Sequence, residues 1–284
     1  MPHRRSASPI LPGFALVLFA AAAAPAGAED LQPHRGIYDL SLSDAEPSTS
    51  LVAASGRLVF ALSGSECAGY NVDFRNVTRV TDREGTERTT DLRSSTEETV
   101  SPATLKFSHE TFVDGEKASG IEGRAEGRSG GVEVAVTAPK STELTLERAV
   151  FPTAHTRLIL DAALAGERIL EAKVYDGGDD ADEVYETATI LGPAQTGLPG
   201  ASEQEIAVLS QIDNVMSRTA WRLTISYFEA GSAEGERMPD YELTFSMLDN
   251  GVAYNVSFDY GAFVLKGRLT ELSLQDEAPC PAAE

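Results

Sequence analysis

Apolar and polar residues alternate with a period of two in segment after segment of this chain. That alternation commits it to β-strands with one buried face. Tyr38, Leu40 and Leu42 share a face, as do Leu58, Phe60 and Leu62, then Tyr70, Val72 and Phe74, then Val132, Val134 and Val136. Later, Tyr241, Leu243, Phe245 and Met247 precede Val252, Tyr254, Val256 and Phe258. Asp249-Asn250-Gly251 lies between these two runs and reads as a tight hairpin turn. Ala262 to Leu274 gives one more strand. From Thr81 to Gly131 the sequence is polar, yet Leu105, Phe107, Phe112 and Val113 recur in it. Exposed strands and long turns, not disorder, fit that stretch.

Two segments break the pattern. Pro152 and Thr153 open a helix over Ala154 to Ala165, with Leu158, Ile159, Ala162 and Ala163 at helical spacing and Gly166 as its stop. A weaker helix begins at Ser202, where Ser202-x-x-Glu205 forms a capping box before Ile206 and Leu209. Leu191 to Gly200, rich in Gly and Pro, reads as a surface loop. The fold class is therefore mainly β: a strongly curved antiparallel sheet or open barrel with one or two helices. A helix across the concave face would plug it, or a groove there would receive an apolar ligand. Nothing divides residues 29–284 into separate domains, and no repeat is present.

The N-terminus has the layout of a secretory signal. His3, Arg4 and Arg5 precede an apolar run from Ile10 to Ala24, and Ala26-Gly27-Ala28 supplies a small-x-small cleavage site. The run is about 15 residues, short of the ~20 a spanning helix needs. Cleavage after Ala28 would place residues 29–284 in the periplasm. No Cys stands at the cut, so no lipoprotein anchor is expected, and no later stretch is apolar enough to span a membrane. The net charge is −21, and losing Arg4 and Arg5 with no acid takes it to −23. Such a surface is repelled by phosphate backbones and anionic head groups, which excludes nucleic acid as a partner.

The chain has two cysteines, Cys67 and Cys280, both in the exported part. In an oxidising compartment the simplest reading is one disulfide across 213 residues, with two free thiols or a redox pair as the alternative. No Cys-x-x-Cys spacing supports the redox pair.

No catalytic constellation emerges. Gly127-Arg128-Ser129-Gly130-Gly131 matches a nucleophile elbow in letters only, because a strand-like Val132 to Val136 follows where a helix is required. His34, His109 and His155 show no metal-binding spacing. Asp176-Gly177-Gly178-Asp179-Asp180-Ala181-Asp182-Glu183 is rich in oxygens, but Ala181 and Thr187 stand where a calcium loop needs Gly and Glu. It reads as a polar hairpin tip between Ile169–Tyr175 and Val184–Ile190. Paired carboxylates of the glycosidase kind have no distinguishing spacing here. Trp221, Tyr227 and Phe228 lie in a strand-like run and are core residues or the lining of a groove. No metal, cofactor or catalytic residue is assigned, and the ligand-binding residues stay unassigned.

Several segments together resemble the cell envelope integrity protein EipB family. They are His34-Arg35-Gly36-Ile37-Tyr38-Asp39-Leu40, Gly56-Arg57-Leu58-Val59-Phe60, Cys67-Ala68-Gly69-Tyr70, Phe151-Pro152-Thr153-Ala154-His155-Thr156, Val174-Tyr175-Asp176-Gly177 and Trp221-Arg222-Leu223. The run Tyr241 to Leu272, with Asp249-Asn250-Gly251 and Phe258-Asp259-Tyr260-Gly261, is the most distinctive. The resemblance implies a β-spiral around a helix, stapled by a Cys67–Cys280 disulfide and similar in shape to lipoprotein carriers. It also implies a role in envelope integrity under stress with no established enzymatic activity. The stretch 191–220 departs from it in length.

These readings lead to a non-enzymatic periplasmic protein acting through contacts with envelope proteins. A lipid or lipoprotein carrier using the concave face is the alternative, and an envelope hydrolase is a distant third.

Overall fold

The computed structural model describes residues 30–178, 181–229 and 237–281. The signal and its cut after Ala28 lie outside them. Strands β1 (His34–Ala45), β2 (Leu51–Ser65), β3 (Gly69–Asp82) and β4 (Glu87–Thr99) come first. They are followed by β5 (Thr104–Val113), β6 (Glu116–Arg128), β7 (Gly131–Ala138) and β8 (Thr142–Leu146). Helix α1 (Pro152–Leu164) precedes β9 (Ile169–Val174), β10 (Tyr185–Leu191) and the short β11 (Gln195–Thr196). After α2 (Glu203–Leu209) and a 3-10 turn at Val215–Ser217 come β12 (Thr219–Glu229), β13 (Tyr241–Leu248), β14 (Ala253–Asp259) and β15 (Phe263–Leu274).

All the strands join one antiparallel sheet, ordered β8-β7-β6-β5-β4-β3-β2-β1-β15-β14-β13-β12-β10-β9, with β11 beside β12. The edges β8 and β9 do not pair, so the sheet is open. The chain just past β8 nevertheless touches β9, where Val150 forms a parallel bridge with Val174. Val150 N–H donates to the Lys173 carbonyl and Tyr175 N–H to the Val150 carbonyl, both at 2.9 Å. A Lys173–Glu147 ion pair crosses the same seam. The β13–β14 hairpin turns at Asp249-Asn250-Gly251, with Gly251 at φ +84°, a left-handed conformation that costs glycine little. Cys67, in the β2–β3 turn, is bonded to Cys280 in the tail beyond β15, with their Cα atoms 5.3 Å apart.

Helix α1 ends in a Schellman motif, with Gly166 N–H donating to Ala163 and Glu167 N–H to Ala162. It buries Ile159, Leu160, Ala162 and Ala163 against Trp221, Leu223, Ile225 and Met247. Leu158, assigned to the apolar stripe from spacing, is 39% exposed; Leu160 fills the inner position instead. The α2 capping box forms: Ser202 Oγ accepts from Glu205 N–H at 3.3 Å and Glu205 Oε2 accepts from Ser202 N–H at 2.9 Å. Leu191 to Gly200 is not merely a surface loop, since Leu191 and Leu198 are buried within it. Leu191, Leu198, Leu209, Ile212 and Val215 are all buried across the longer stretch 191–220. The last four pack against Tyr38, Leu58, Tyr254 and Leu269 of the sheet.

The polar hairpin tip is also partly wrong. Strands β9 and β10 pair as a hairpin, but Ala181 of the tip is buried, together with Tyr175 and Val184 at the ends of the flanking runs. These three join Phe107, Val134 and Phe151 in a third core cluster. A Cβ on Gly177 would meet the Phe107 ring at 2.3 Å, so only glycine fits there.

Helix α1 begins with no cap of its own, since Phe151 offers no side-chain acceptor. Glu98 supplies one from β4 while itself buried. Its Oε2 accepts from Thr153 N–H at 2.7 Å and its Oε1 from Ala154 N–H at 2.8 Å. Burial pushes this carboxyl above the usual glutamate range, and the two N–H donors pull it back. Glu98→Ala strands both donors and is expected to cost about 2 kcal/mol, read as a lower urea midpoint at unchanged slope. A loss under about 0.5 kcal/mol would show that water caps the helix equally well.

Candidate functional site

The inner face of the sheet does not fill completely. Beneath α1 a cavity of about 320 Å³ remains, walled largely by apolar side chains. Leu58 and Phe60 of β2, Ile225 of β12, Leu243 and Phe245 of β13 and Val256 of β14 form most of it, and Ile159 of α1 covers it. Every one of these strand residues except Ile225 belongs to the alternation seen in the sequence, so the period-two faces converge here. The cavity is graded. Leu58 and Met247 are buried at one end, whereas Tyr227, Tyr241 and Asp176 are half-buried at the other.

The half-buried end carries a chain of aromatic rings. Tyr227 and Tyr241 stack at 4.4 Å between centroids, Tyr185 meets Tyr227 edge-on at 6.1 Å, and Tyr260 lies 6.4 Å from Tyr241. Burial, and then the charge of Asp176, raises the phenols of Tyr185 and Tyr227. The Tyr241 phenol is raised by burial and by its tyrosine and acidic neighbours.

Two histidines distant in sequence meet at this cavity. His34 Nδ1 lies 2.7 Å from the Gln32 carbonyl and donates to it, and burial lowers its pKa. His155 is buried on α1, its pKa lowered to about 4 by loss of water. Its Nε2 lies 3.3 Å from Thr187 Oγ1, and that hydroxyl donates to the Ala172 carbonyl at 3.0 Å. Thr187 therefore accepts from the imidazole, and neither group is set up as a base acting on a nucleophile. His109 is elsewhere, on β5, where its Nε2 donates to the Asp176 carbonyl at 3.1 Å.

The other candidates disperse. Ser129 is exposed in the β6–β7 turn, with strand on either side and no helix after it. Of the acidic run, Asp176 reaches the cavity, while Asp179 and Asp180 lie outside the described residues. Among the described residues no group of three or more His, Cys, Asp or Glu side chains is placed to hold a metal ion. Trp221 is core and Tyr227 lines the cavity, whereas Phe228 points to the opposite face under the Arg237 guanidinium, 5.1 Å away. The cavity itself was not legible residue by residue, because its walls come from segments spread between His34 and Phe258.

Comparison with known proteins points one way. Residues 25–276 match the family model described as EipB-like. The chain is 33% identical over 258 residues to the cell envelope integrity protein EipB of Brucella abortus (strain 2308), covering 91% of this chain and 89% of that protein. A crystal structure of a β-barrel-like protein of a domain of unknown function, also from Brucella abortus, superposes with a TM-score of 0.80 at 33% identity. That match covers 87% of this chain and 99% of the other.

Proposed function

Because the chain belongs to the EipB-like family, we propose that it supports cell-envelope integrity by holding an apolar, lipid-type ligand beneath α1, without catalysing a reaction. The supporting observation is the apolar cavity of about 320 Å³ facing His155, Thr156 and Ile159 of that helix. The cavity is the reason to favour the lipid ligand over contacts with envelope proteins, the leading expectation from the sequence. We further propose that residues 1–28 are a cleaved signal and that residues 29–284 work as one periplasmic unit. Among the described residues no helix is long and apolar enough to cross a membrane.

Filling the cavity tests this. Leu243→Trp adds a ring to its wall without adding a charge. The variant is expected to bind the neutral apolar dye N-phenyl-1-naphthylamine at least about tenfold more weakly, with cooperative unfolding retained. Unchanged dye affinity would place ligand binding elsewhere. Contact with another envelope protein is the second reading, favoured by the cross-strand pair Ile169 and Ile190, 64% and 58% exposed on the edge hairpin. That reading takes over if Leu243→Trp loses dye binding yet restores detergent resistance fully in cells lacking the protein.

A further inference from the structure

His34, Tyr38, His155 and Thr156 line the cavity, and each has spent its hydrogen inside the protein. Tyr38 donates to the Ala253 carbonyl at 2.8 Å, and Thr156 to the Pro152 carbonyl at 3.1 Å. His34 Nδ1 faces the Gln32 carbonyl, which can only accept, so Nδ1 carries the proton. Burial lowers the pKa of this imidazole, so at pH 7 the ring is neutral and Nε2 is a bare lone pair. His155 gives its Nε2–H to Thr187, which leaves Nδ1 as an acceptor as well. These side chains offer a ligand lone pairs and no hydrogens.

We propose that the cavity takes amphiphiles whose polar group is an uncharged hydroxyl, such as a long-chain alcohol or a glyceride, and that His34 Nε2 accepts its hydrogen. The inference rests on the cavity reading given above. His34 is singled out because a backbone carbonyl fixes its tautomer and because the residue is only 2% exposed. Among the described residues Nε2 has no protein partner, yet it is not sealed off: it borders open space, and the cavity is the space that His34 lines. A buried lone pair without a donor costs free energy. A ligand hydroxyl satisfies it, whereas an ether, ester or carboxylate oxygen sets a second lone pair against it. An alcohol also holds water more tightly than its isomeric ether, so an apolar cavity without an acceptor would prefer the ether. Preference for the alcohol therefore reports a waiting lone pair.

1-Decanol and methyl nonyl ether, linear isomers of equal length, separate the ideas. Each is titrated below its solubility limit as a competitor of N-phenyl-1-naphthylamine. Wild-type protein is expected to bind the alcohol at least about fivefold more tightly than the ether. His34→Asn keeps an amide N–H for the Gln32 carbonyl and removes Nε2. It is expected to bring the two affinities within about twofold or to favour the ether, whereas Met247→Leu, an apolar change in the lining, leaves the ratio as it was. One readout needs no variant: the 15N resonance of the unprotonated Nε2 in the wild type is expected to shift with the alcohol and not with the ether. Equal affinities in the wild type, a preference that survives His34→Asn, or a resonance that the alcohol does not move overturns the inference alone. If the dye does not bind, or neither isomer displaces it, the cavity reading falls and the inference with it.

Discussion

Replacing Cys67 or Cys280 with serine is expected to lower stability by about 4 kcal/mol, and replacing both is expected to cost no more than either alone. The bond closes a loop of 213 residues, and the loss of chain entropy in the unfolded state grows with loop length. Both cysteines are solvent-exposed, so serine leaves neither a cavity nor a buried unpaired hydroxyl. The change in urea midpoint then reports the cross-link itself. Strictly additive losses in the double variant would mean that the two sulfurs contribute separately.

Acidification should be the second large effect, and His155 should carry much of it. The imidazole has its pKa lowered from 6.5 to about 4 by burial alone. A base with a lowered folded-state pKa takes up its proton more readily in the unfolded chain. Its contribution to stability is therefore complete above about pH 6.5 and drains away as the pH falls to about 4, by about 3 kcal/mol in all. Urea titrations at pH 7 and pH 4 are expected to show this loss in the wild type and a much smaller one in His155→Asn. Some slope should persist, because His34 is shifted in the same direction. Parallel profiles for the two proteins would mean that the loss arises elsewhere.

Much of the sheet was legible because period-two alternation is a local signal. Tyr241 to Met247 and Val252 to Phe258 became β13 and β14 around the turn read from Asp249-Asn250-Gly251. The capping box at Ser202 was legible for the same reason, since its partners lie three residues apart. What failed was non-local. Tyr175, Ala181 and Val184 are spaced among acids, and only the approach of Phe107 from β5 makes them core. Leu158 and Leu160 are equally apolar, and the choice between them is made by β12 and β13, which lie well over fifty residues further along the chain. The Glu98 cap crosses from β4 to α1, so no scan of the helix could find it. The cavity is the extreme case, being a shape left between side chains that sequence shows only one at a time.

The strand order has a kinetic side. Every pairing in the main sheet path joins successive strands, or near-successive ones, except that of β1 with β15. The sheet is thus two meanders, β1 to β8 and β9 to β15, each able to zip from its own turns. A single encounter joins them, and it matches His34 with Leu274 across nearly the whole chain. Closing so long a loop is the slow event in such a topology. Until it happens, β1 and β15 each present an unpaired edge, and the cavity, whose walls come from both meanders, does not exist. Ligand binding therefore has to follow the last strand into place.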